Sequence, residues 1–283
     1  MIDVNVSNDD AISELINVSN ISISFTQYVK GLNQRELKVI TDLTLDIKEG
    51  EIVAVLGSSG SGKSLLAHAI LGILPQNANL SGTMMYKGEV LTEELKQKLR
   101  GDESALIPQS VNFLDPLMKV SDQVIGECVD EEEEKEKRAK QRAIFEKYNL
   151  SEEVDDMYPF QLSGGMARRA ALARAIALDP DLVMYDEPFV GQDPITKGVL
   201  VKLIADINLS LGKTSVVVTH DVKEILEIAH YVYILAEGKV LGQGTPSEII
   251  HSQDPRVIQF IQGDFDGPYA FKLKGSENYI EEL

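Results

Sequence analysis

Three features are scarce in this sequence: cysteine, basic charge and long apolar runs. The single cysteine, Cys128, cannot form an internal disulfide or a metal cluster by itself, so the chain is predicted to work in a reducing compartment. Lys and Arg number 27 against 45 Asp and Glu, and the net charge of −18 disfavours binding to nucleic-acid backbones. No apolar run reaches the roughly 18 residues that a membrane-spanning helix needs. We therefore expect neither direct DNA binding nor a membrane span.

The chain is long enough to bury a large core. Its 283 residues, 43% of them hydrophobic, can form one α/β core and a smaller unit. Helical segments alternate with apolar strands, for example at residues 182–185, which predicts a mainly parallel sheet covered by helices on both faces. Helix formers dominate between Pro108 and Pro159 and predict a helical insertion, with Glu133 and Lys137 as an exposed ion pair.

The most informative stretch is a glycine-rich loop that follows the apolar residues 52–56. It fits the full Walker A pattern with Gly57, Ser58, Ser59, Gly60, Ser61, Gly62, Lys63 and Ser64. A strand that ends in glycines and restarts as a helix, here predicted to run to about Leu74, directs backbone N–H groups into one concavity that suits phosphates. Lys63 is predicted to reach the β- and γ-phosphates of ATP, and the Ser64 hydroxyl is predicted to bind Mg²⁺.

Two adjacent carboxylates, Asp186 and Glu187, follow the apolar strand at residues 182–185. Pro188 ends this strand because it has no backbone N–H to donate. Asp186 is predicted to orient the Mg²⁺ shell. Glu187 is predicted to polarise the water that attacks the γ-phosphate.

A second phosphate site is predicted where Ser163 precedes a strongly helical run. Ser163 occupies the N-cap position, and Gly164 and Gly165 leave the first backbone amides of the helix uncovered. Because the glycine-rich loop already holds one nucleotide, we expect this helix start to serve the nucleotide of another copy of the chain.

Taken in order, these motifs resemble those of the ABC transporter ATPases over roughly residues 18–245. The resemblance implies that Gln109 senses Mg²⁺ and contacts a membrane subunit, that Asp193 lies at the dimer interface, and that His220 contacts the γ-phosphate. It implies an α/β fold: a P-loop NTPase (RecA-like) core with a mainly parallel sheet, an antiparallel β subdomain and an inserted α-helical subdomain. The expected divisions are an N-terminal tail at 1–17, a nucleotide-binding core at 18–108 and 165–250, the helical subdomain at 109–164 and a C-terminal tail at 251–283.

Some positions stay open or depart from the usual wording of this family. The aromatic residue that the family places under adenine has two candidates, Phe25 and Tyr28, which spacing does not separate. Met166 replaces the usual glutamine of the signature, and residues 190–193 replace the usual Ser/Thr-Ala-Leu-Asp. Because phosphate contacts run mainly through Ser163 and backbone amides, Met166 need not abolish hydrolysis.

Two parts of the chain resemble different branches of the family. Residues 162–270 are similar to the ATPases of MCE-linked phospholipid transporters, whereas residues 20–160 are similar to the ATPases of peptide and nickel importers. Those importers often carry a cysteine-rich C-terminal segment, which this sequence lacks, so lipid transport is favoured. A divergent lineage and an engineered fusion near Leu162 both account for the mixture.

The resemblance also implies what the chain works with. The expected partners are a second copy of the chain, an integral membrane permease and an MCE-type or other substrate-binding protein, with no nucleic acid. The chain is then peripheral to the cytoplasmic face of the inner membrane and uses ATP and Mg²⁺. The alternatives are the ATPase of a peptide or nickel importer and, in another class, a soluble ABC ATPase that acts on ribosomes or DNA.

Overall fold

The computed structural model describes residues 13–28, 34–109, 114–264 and 266–268, and these residues contain two sheets. The strands are β1 (Glu14–Tyr28), β2 (Gln34–Lys48), β3 (Ile52–Gly57), β4 (Ala78–Tyr86), β5 (Glu89–Val90), β6 (Ser104–Ile107), β7 (Leu182–Asp186), β8 (Thr214–Thr219), β9 (Tyr231–Ala236) and β10 (Lys239–Gly244). Six strands form a sheet in the order β10-β9-β3-β8-β7-β6, which is parallel except between β9 and β10. The other four form an antiparallel sheet in the order β2-β1-β4-β5. The expected α/β fold is confirmed.

Successive residues of β3 face two different hydrophobic cores. Ile52, Ala54 and Leu56 join a core on the side of the helical insertion. Val53 and Val55 join a second core, which the antiparallel sheet shares. All residues of β3 are buried, as expected for a parallel strand that is covered on both faces. The strand that leads into the glycine-rich loop is therefore held from both sides.

Helices cover the central sheet and form the insertion. They are α1 (Lys63–Leu71), α2 (Glu93–Leu99), α3 (Val120–Ile125), α4 (Glu131–Lys147), α5 (Gly164–Ala177), α6 (Pro194–Leu211), α7 (Val222–Leu226), α8 (Pro246–Ile250) and α9 (Pro255–Gln262). The expected pair on α4 is confirmed, with 2.9 Å between Lys137 Nζ and Glu133 Oε1. None of the helices in the described ranges combines the length and the apolarity that crossing a bilayer requires.

Helix α1 ends earlier than the sequence predicts. It stops at Leu71 rather than near Leu74, because Gly72 adopts a left-handed conformation with φ of 66°. The Gly72 N–H and the following Ile73 N–H then bond back to carbonyls of the last turn. The glycine therefore closes the helix and turns the chain toward β4.

The two expected tails are partly folded. Strand β1 begins at Glu14, and Leu15 and Ile16 are buried, so residues 14–17 belong to the antiparallel sheet. At the other end, Val257 of α9 is buried in the core on the side of the helical insertion. Residues 1–12 and 269–283, which make up the rest of the two expected tails, lie outside the described residues.

Candidate functional site

Most of the residues predicted to bind the nucleotide phosphates meet at one edge of the central sheet. Strands β3, β8 and β7 are parallel neighbours, so their carboxyl ends lie side by side. The glycine-rich loop follows β3, His220 follows β8, and Asp186 ends β7 with Glu187 next to it. In open α/β sheets this edge is where ligands bind.

Glycine is required at two places in the loop after β3. A Cβ built on Gly57 comes within 2.5 Å of the Leu235 carbonyl oxygen, so no larger residue fits there. Gly62 has φ of 97°, and a Cβ on it comes within 2.8 Å of Ile40 Cγ1. The loop consequently keeps its backbone close to the neighbouring strands and leaves α1 to begin at Lys63.

The Lys63 ammonium is held inside this loop. Its Nζ donates to the Gly57 carbonyl at 2.7 Å and to the Ser58 carbonyl at 3.0 Å. It also lies 3.4 Å from Glu187 Oε1, and Lys63 is 5% exposed. A buried cation with one carboxylate partner and two carbonyl partners is placed to attract a further anion.

Ser64 and Asp186 come together across the loop and β7. The Ser64 hydroxyl donates to Asp186 Oδ1 at 2.7 Å, and the two residues are far apart in the chain. A hydroxyl and a carboxylate are the kind of hard oxygen ligands that Mg²⁺ prefers. Among the predicted metal residues, these two are the ones that the structure joins by a direct hydrogen bond.

Glu187 occupies a strained position between Lys63 and His220. It has φ of 48°, which is uncommon for a residue other than glycine, and its amide donates to the Val218 carbonyl at 2.8 Å. Its Oε2 lies 2.8 Å from His220 Nδ1 and accepts the His220 amide at 3.3 Å. The carboxylate is thus buried while its histidine partner remains largely exposed.

Lys63, Ser64, Glu187 and His220 border a cavity of about 360 Å³. Gln109, which follows β6, lies on its wall. The cavity also contacts three apolar residues: Val190, which begins the 190–193 motif, and Val39 and Leu65, which no motif indicates. The full lining is Val39, Ser59, Gly60, Gly62, Lys63, Ser64, Leu65, Gln109, Glu187, Val190 and His220.

One of the two adenine candidates, Phe25, lies away from this wall. Phe25 packs against the core shared with the antiparallel sheet and does not line the cavity. The side chain of Tyr28 lies outside the described part of the chain. Val39 on β2 brings the antiparallel sheet to the cavity.

The second predicted phosphate turn lies apart from this cavity. Ser163 caps α5, and its hydroxyl accepts the Met166 amide at 3.3 Å. Ser163 and Gly164 are exposed, and a Cβ built on Gly164 or Gly165 meets open space within 4 Å. None of the three lines the cavity, so the chain by itself does not bring its two phosphate turns together.

Asp193 has a local role in the fold. It is the N-cap of α6, where its Oδ1 accepts the Ile195 amide at 2.9 Å and the Thr196 amide at 3.1 Å. The Thr196 hydroxyl donates to its Oδ2 at 2.5 Å. These hydrogen bonds, led by that of the hydroxyl, hold the pKa of the Asp193 carboxyl below its usual value.

Comparison with known proteins identifies the family. Residues 40–190 match the ABC transporter family, so the chain belongs to it and is one of its ATPase subunits, as the order of motifs predicts. The ATP-binding protein MlaF of the intermembrane phospholipid transport system of Haemophilus influenzae is 40% identical over 90% of this chain and 97% of that protein. The dipeptide transport ATP-binding protein DppD of Lactococcus lactis is 29% identical over 84% of this chain and 70% of that protein.

A similar ATP-binding cassette has been solved as a dimer. The cassette MJ0796 in a dimeric post-hydrolysis state, bound to ADP and Pi, is 26% identical with a TM-score of 0.68. The match covers 82% of this chain and 99% of that chain. The likeness to an ATP-binding cassette thus extends over most of the chain. MlaF and DppD represent the two branches of the family that the sequence resembles, the phospholipid transporters and the peptide importers.

Proposed function

We propose that this chain is the ATP-hydrolysing subunit of a transporter that moves phospholipid. The similarity to MlaF carries this proposal, because it is higher than the similarity to DppD and covers almost the full length of that relative. It also includes the part of the chain that resembles peptide importers in its motifs. The peptide importer remains the second candidate because DppD matches over most of this chain.

In this proposal the loop after β3 binds the triphosphate of ATP. Backbone amides at the start of α1 and the Lys63 ammonium neutralise its charge. The Ser61 hydroxyl supports a polar ligand here, because its oxygen is buried and has no hydrogen-bond partner within the described part of the chain. Mg²⁺, when bound, neutralises phosphate oxygens, and Ser64, Asp186 and Gln109 are the residues proposed to hold it.

Glu187 is proposed as the general base and His220 as its partner. The contacts with His220 fix Oε2 of Glu187. Oε1, which pairs with Lys63, is the oxygen proposed to accept a proton from water at the γ-phosphate once a phosphate takes its place beside Lys63. The Val218 carbonyl holds the backbone of Glu187, so the carboxylate is positioned before the reaction begins. Most of the rate enhancement then comes from positioning and charge neutralisation.

A second copy of the chain is proposed to complete the site. Ser163 and Gly164 are exposed, open space faces Gly164 and Gly165, and none of the three lines the cavity beside Lys63, which suits contact with a nucleotide held by a partner. Asp193 is also proposed to lie at this interface. Two copies close head to tail around two ATP molecules, and closure moves a membrane permease on the cytoplasmic face of the inner membrane. Gln109 and the helical insertion face that permease, and an MCE-type protein receives the lipid.

Isolation of the native membrane complex tests this proposal. We expect the tagged chain to be recovered from membranes with a permease and an MCE-type protein, and the reconstituted complex to move labelled phospholipid between liposomes when ATP is present. A complex that carries Glu187→Gln is the control and should assemble but move no lipid. Recovery with a peptide permease and a peptide-binding protein contradicts lipid transport, and recovery with ribosomes or DNA contradicts a transporter.

A further inference from the structure

Arg168 joins the helix that begins at the signature turn to the loop that follows Glu187. Its guanidinium donates through Nη1 to the Pro188 carbonyl and through Nη2 to the Val190 carbonyl, the latter at 2.6 Å. It therefore spans from α5 to two carbonyls of one short turn. The family motifs do not indicate this residue, and the proposed chemistry does not use it.

This contact is specific to arginine. In the described ranges, Arg168 forms no ion pair with a carboxylate, and burial lowers the pKa of its guanidinium. A planar guanidinium can donate to two acceptors in a fixed geometry, whereas a lysine ammonium acts as a point charge. A half-buried cation that is held by two carbonyls fixes the position of those carbonyls relative to α5.

The turn from Glu187 to Gly191 has few other ways to move. Phe189 is fully buried in the core, and Gly191 has φ of 71°. Val190 itself lines the cavity that contains the proposed base. A shift of the Pro188 and Val190 carbonyls is therefore transmitted directly to Glu187, which precedes them.

The other end of the connection is the signature turn. Ser163 caps α5 and Arg168 lies five residues further along, about 7 Å of helical rise. A helical segment of this length moves as a unit, so a displacement of Ser163, Gly164 and Gly165 displaces Arg168 with it. In the head-to-tail dimer proposed above, that turn contacts the nucleotide held by the partner, whereas Glu187 acts on the nucleotide of its own chain.

We infer that Arg168 is a positioning residue that couples the two ATP sites of the dimer. Binding of one nucleotide by the signature turn moves α5, and the Arg168 guanidinium carries this movement to the turn that positions Glu187 in the other site. This inference rests on the proposed function, because it requires two copies closed around two ATP molecules. Its expected result is cooperative hydrolysis that depends on Arg168.

The test compares the wild-type full chain, in its membrane complex, with Arg168→Met and Arg168→Lys. We expect the wild type to hydrolyse ATP with a Hill coefficient above one. Arg168→Met should lower it to about one and lower kcat roughly ten-fold, with little change in the ATP concentration needed for half-maximal rate. Arg168→Lys, which keeps the charge but can hold the turn less firmly, should fall between them.

Two further variants separate coupling from a structural effect. Arg142→Met is the control, because Arg142 also donates to two adjacent carbonyls, those of Leu150 and Ser151, but contacts neither nucleotide loop. Arg142 pairs with Asp155 as well, so its loss is at least as disruptive to folding. It should keep the wild-type Hill coefficient. In a Glu187→Gln background, Arg168→Met should still form ATP-dependent dimers, which shows that folding and nucleotide binding survive.

The possible failures are distinguishable. If the wild type is cooperative and Arg168→Met is equally cooperative, or if Arg142→Met loses cooperativity to the same extent, the coupling role of Arg168 is refuted and the proposed function stands. If the wild type has a Hill coefficient of about one and the Glu187→Gln chain forms no ATP-dependent dimer, the two-copy site is refuted and the coupling with it.

Discussion

The glycine-rich loop after β3 and the serine-diglycine turn before α5 both offer backbone amides to phosphate, but their surroundings differ. Lys63 and Ser64 already contact Glu187 and Asp186, which come from a neighbouring strand. Ser163 contacts only the start of its own helix, and open space faces the glycines beside it. In the proposed dimer, the chain therefore preorganises one half of the site and presents the other half to its partner.

The largest expected loss of ATP hydrolysis comes from replacing Glu187, the proposed base in the preorganised half. Glu187→Gln should lower ATP hydrolysis by about 10²–10⁴-fold, because the amide cannot accept a proton from water, while ATP binding persists. Dimers should then accumulate in the presence of ATP, which size-exclusion chromatography with light scattering detects. Glu153→Gln, on the exposed surface of the helical insertion, is the control and should behave as the wild type. Hydrolysis by Glu187→Gln at the wild-type rate would show that another group is the base.

A smaller effect is expected from blocking the presented half. Gly165→Val covers amides of the signature turn and should lower hydrolysis by about a hundred-fold, which is comparable to the loss of one preorganised donor. ATP binding by the single chain, measured by calorimetry, should not change. The matched control is Ala139→Val, which adds a similar group at an exposed position of α4.

One outcome for Gly165→Val would contradict the division of the site into two halves. If Gly165→Val weakens ATP binding by the isolated chain as much as it lowers hydrolysis, the two halves are not separable. The signature turn would then act within its own chain.

The smallest effect is expected at Asp193, which has both a local and a proposed interface role. Asp193→Ala removes the N-cap of α6 and should lower Tm by a few degrees, whereas Asp193→Asn keeps a capping oxygen and should lower it less. Loss of hydrolysis by Asp193→Asn at unchanged Tm assigns the carboxylate to the interface. Equal activity of the asparagine variant and the wild type assigns it to the cap alone.

The sequence predicts the preorganised half well because its signals are local. An apolar strand, glycines and the Gly62-Lys63-Ser64 ending are contiguous, so the loop is recognisable without knowledge of the fold. Two adjacent carboxylates after β7 are equally visible. The hydrogen bond between Ser64 and Asp186 depends instead on β7 lying beside β8 and β8 beside β3, which parallel-sheet topology supplies.

Other features of the site have no local signal. Val39 and Val190 line the cavity. The sequence around each of them does not show whether its side chain faces a cavity or the hydrophobic core. Phe25 remained open as an adenine contact because spacing alone cannot tell a cavity wall from a sheet core, and the structure packs it against the core. The fork of Arg168 onto two carbonyls requires the approach of α5 to the turn after β7, which no motif encodes.

The contact between Lys63 and Glu187 has a consequence for the resting protein. An ammonium and a carboxylate 3.4 Å apart neutralise much of each other's charge. The contact therefore occupies both the cation that is proposed to bind phosphate and the carboxylate that is proposed as the base. We expect the phosphates of an incoming nucleotide to replace the Glu187 carboxylate as the partner of the Lys63 ammonium. In the proposed cycle, nucleotide binding releases the Glu187 carboxylate and loss of the phosphates lets it pair with Lys63 again, so that Glu187 can act on water only while nucleotide is bound.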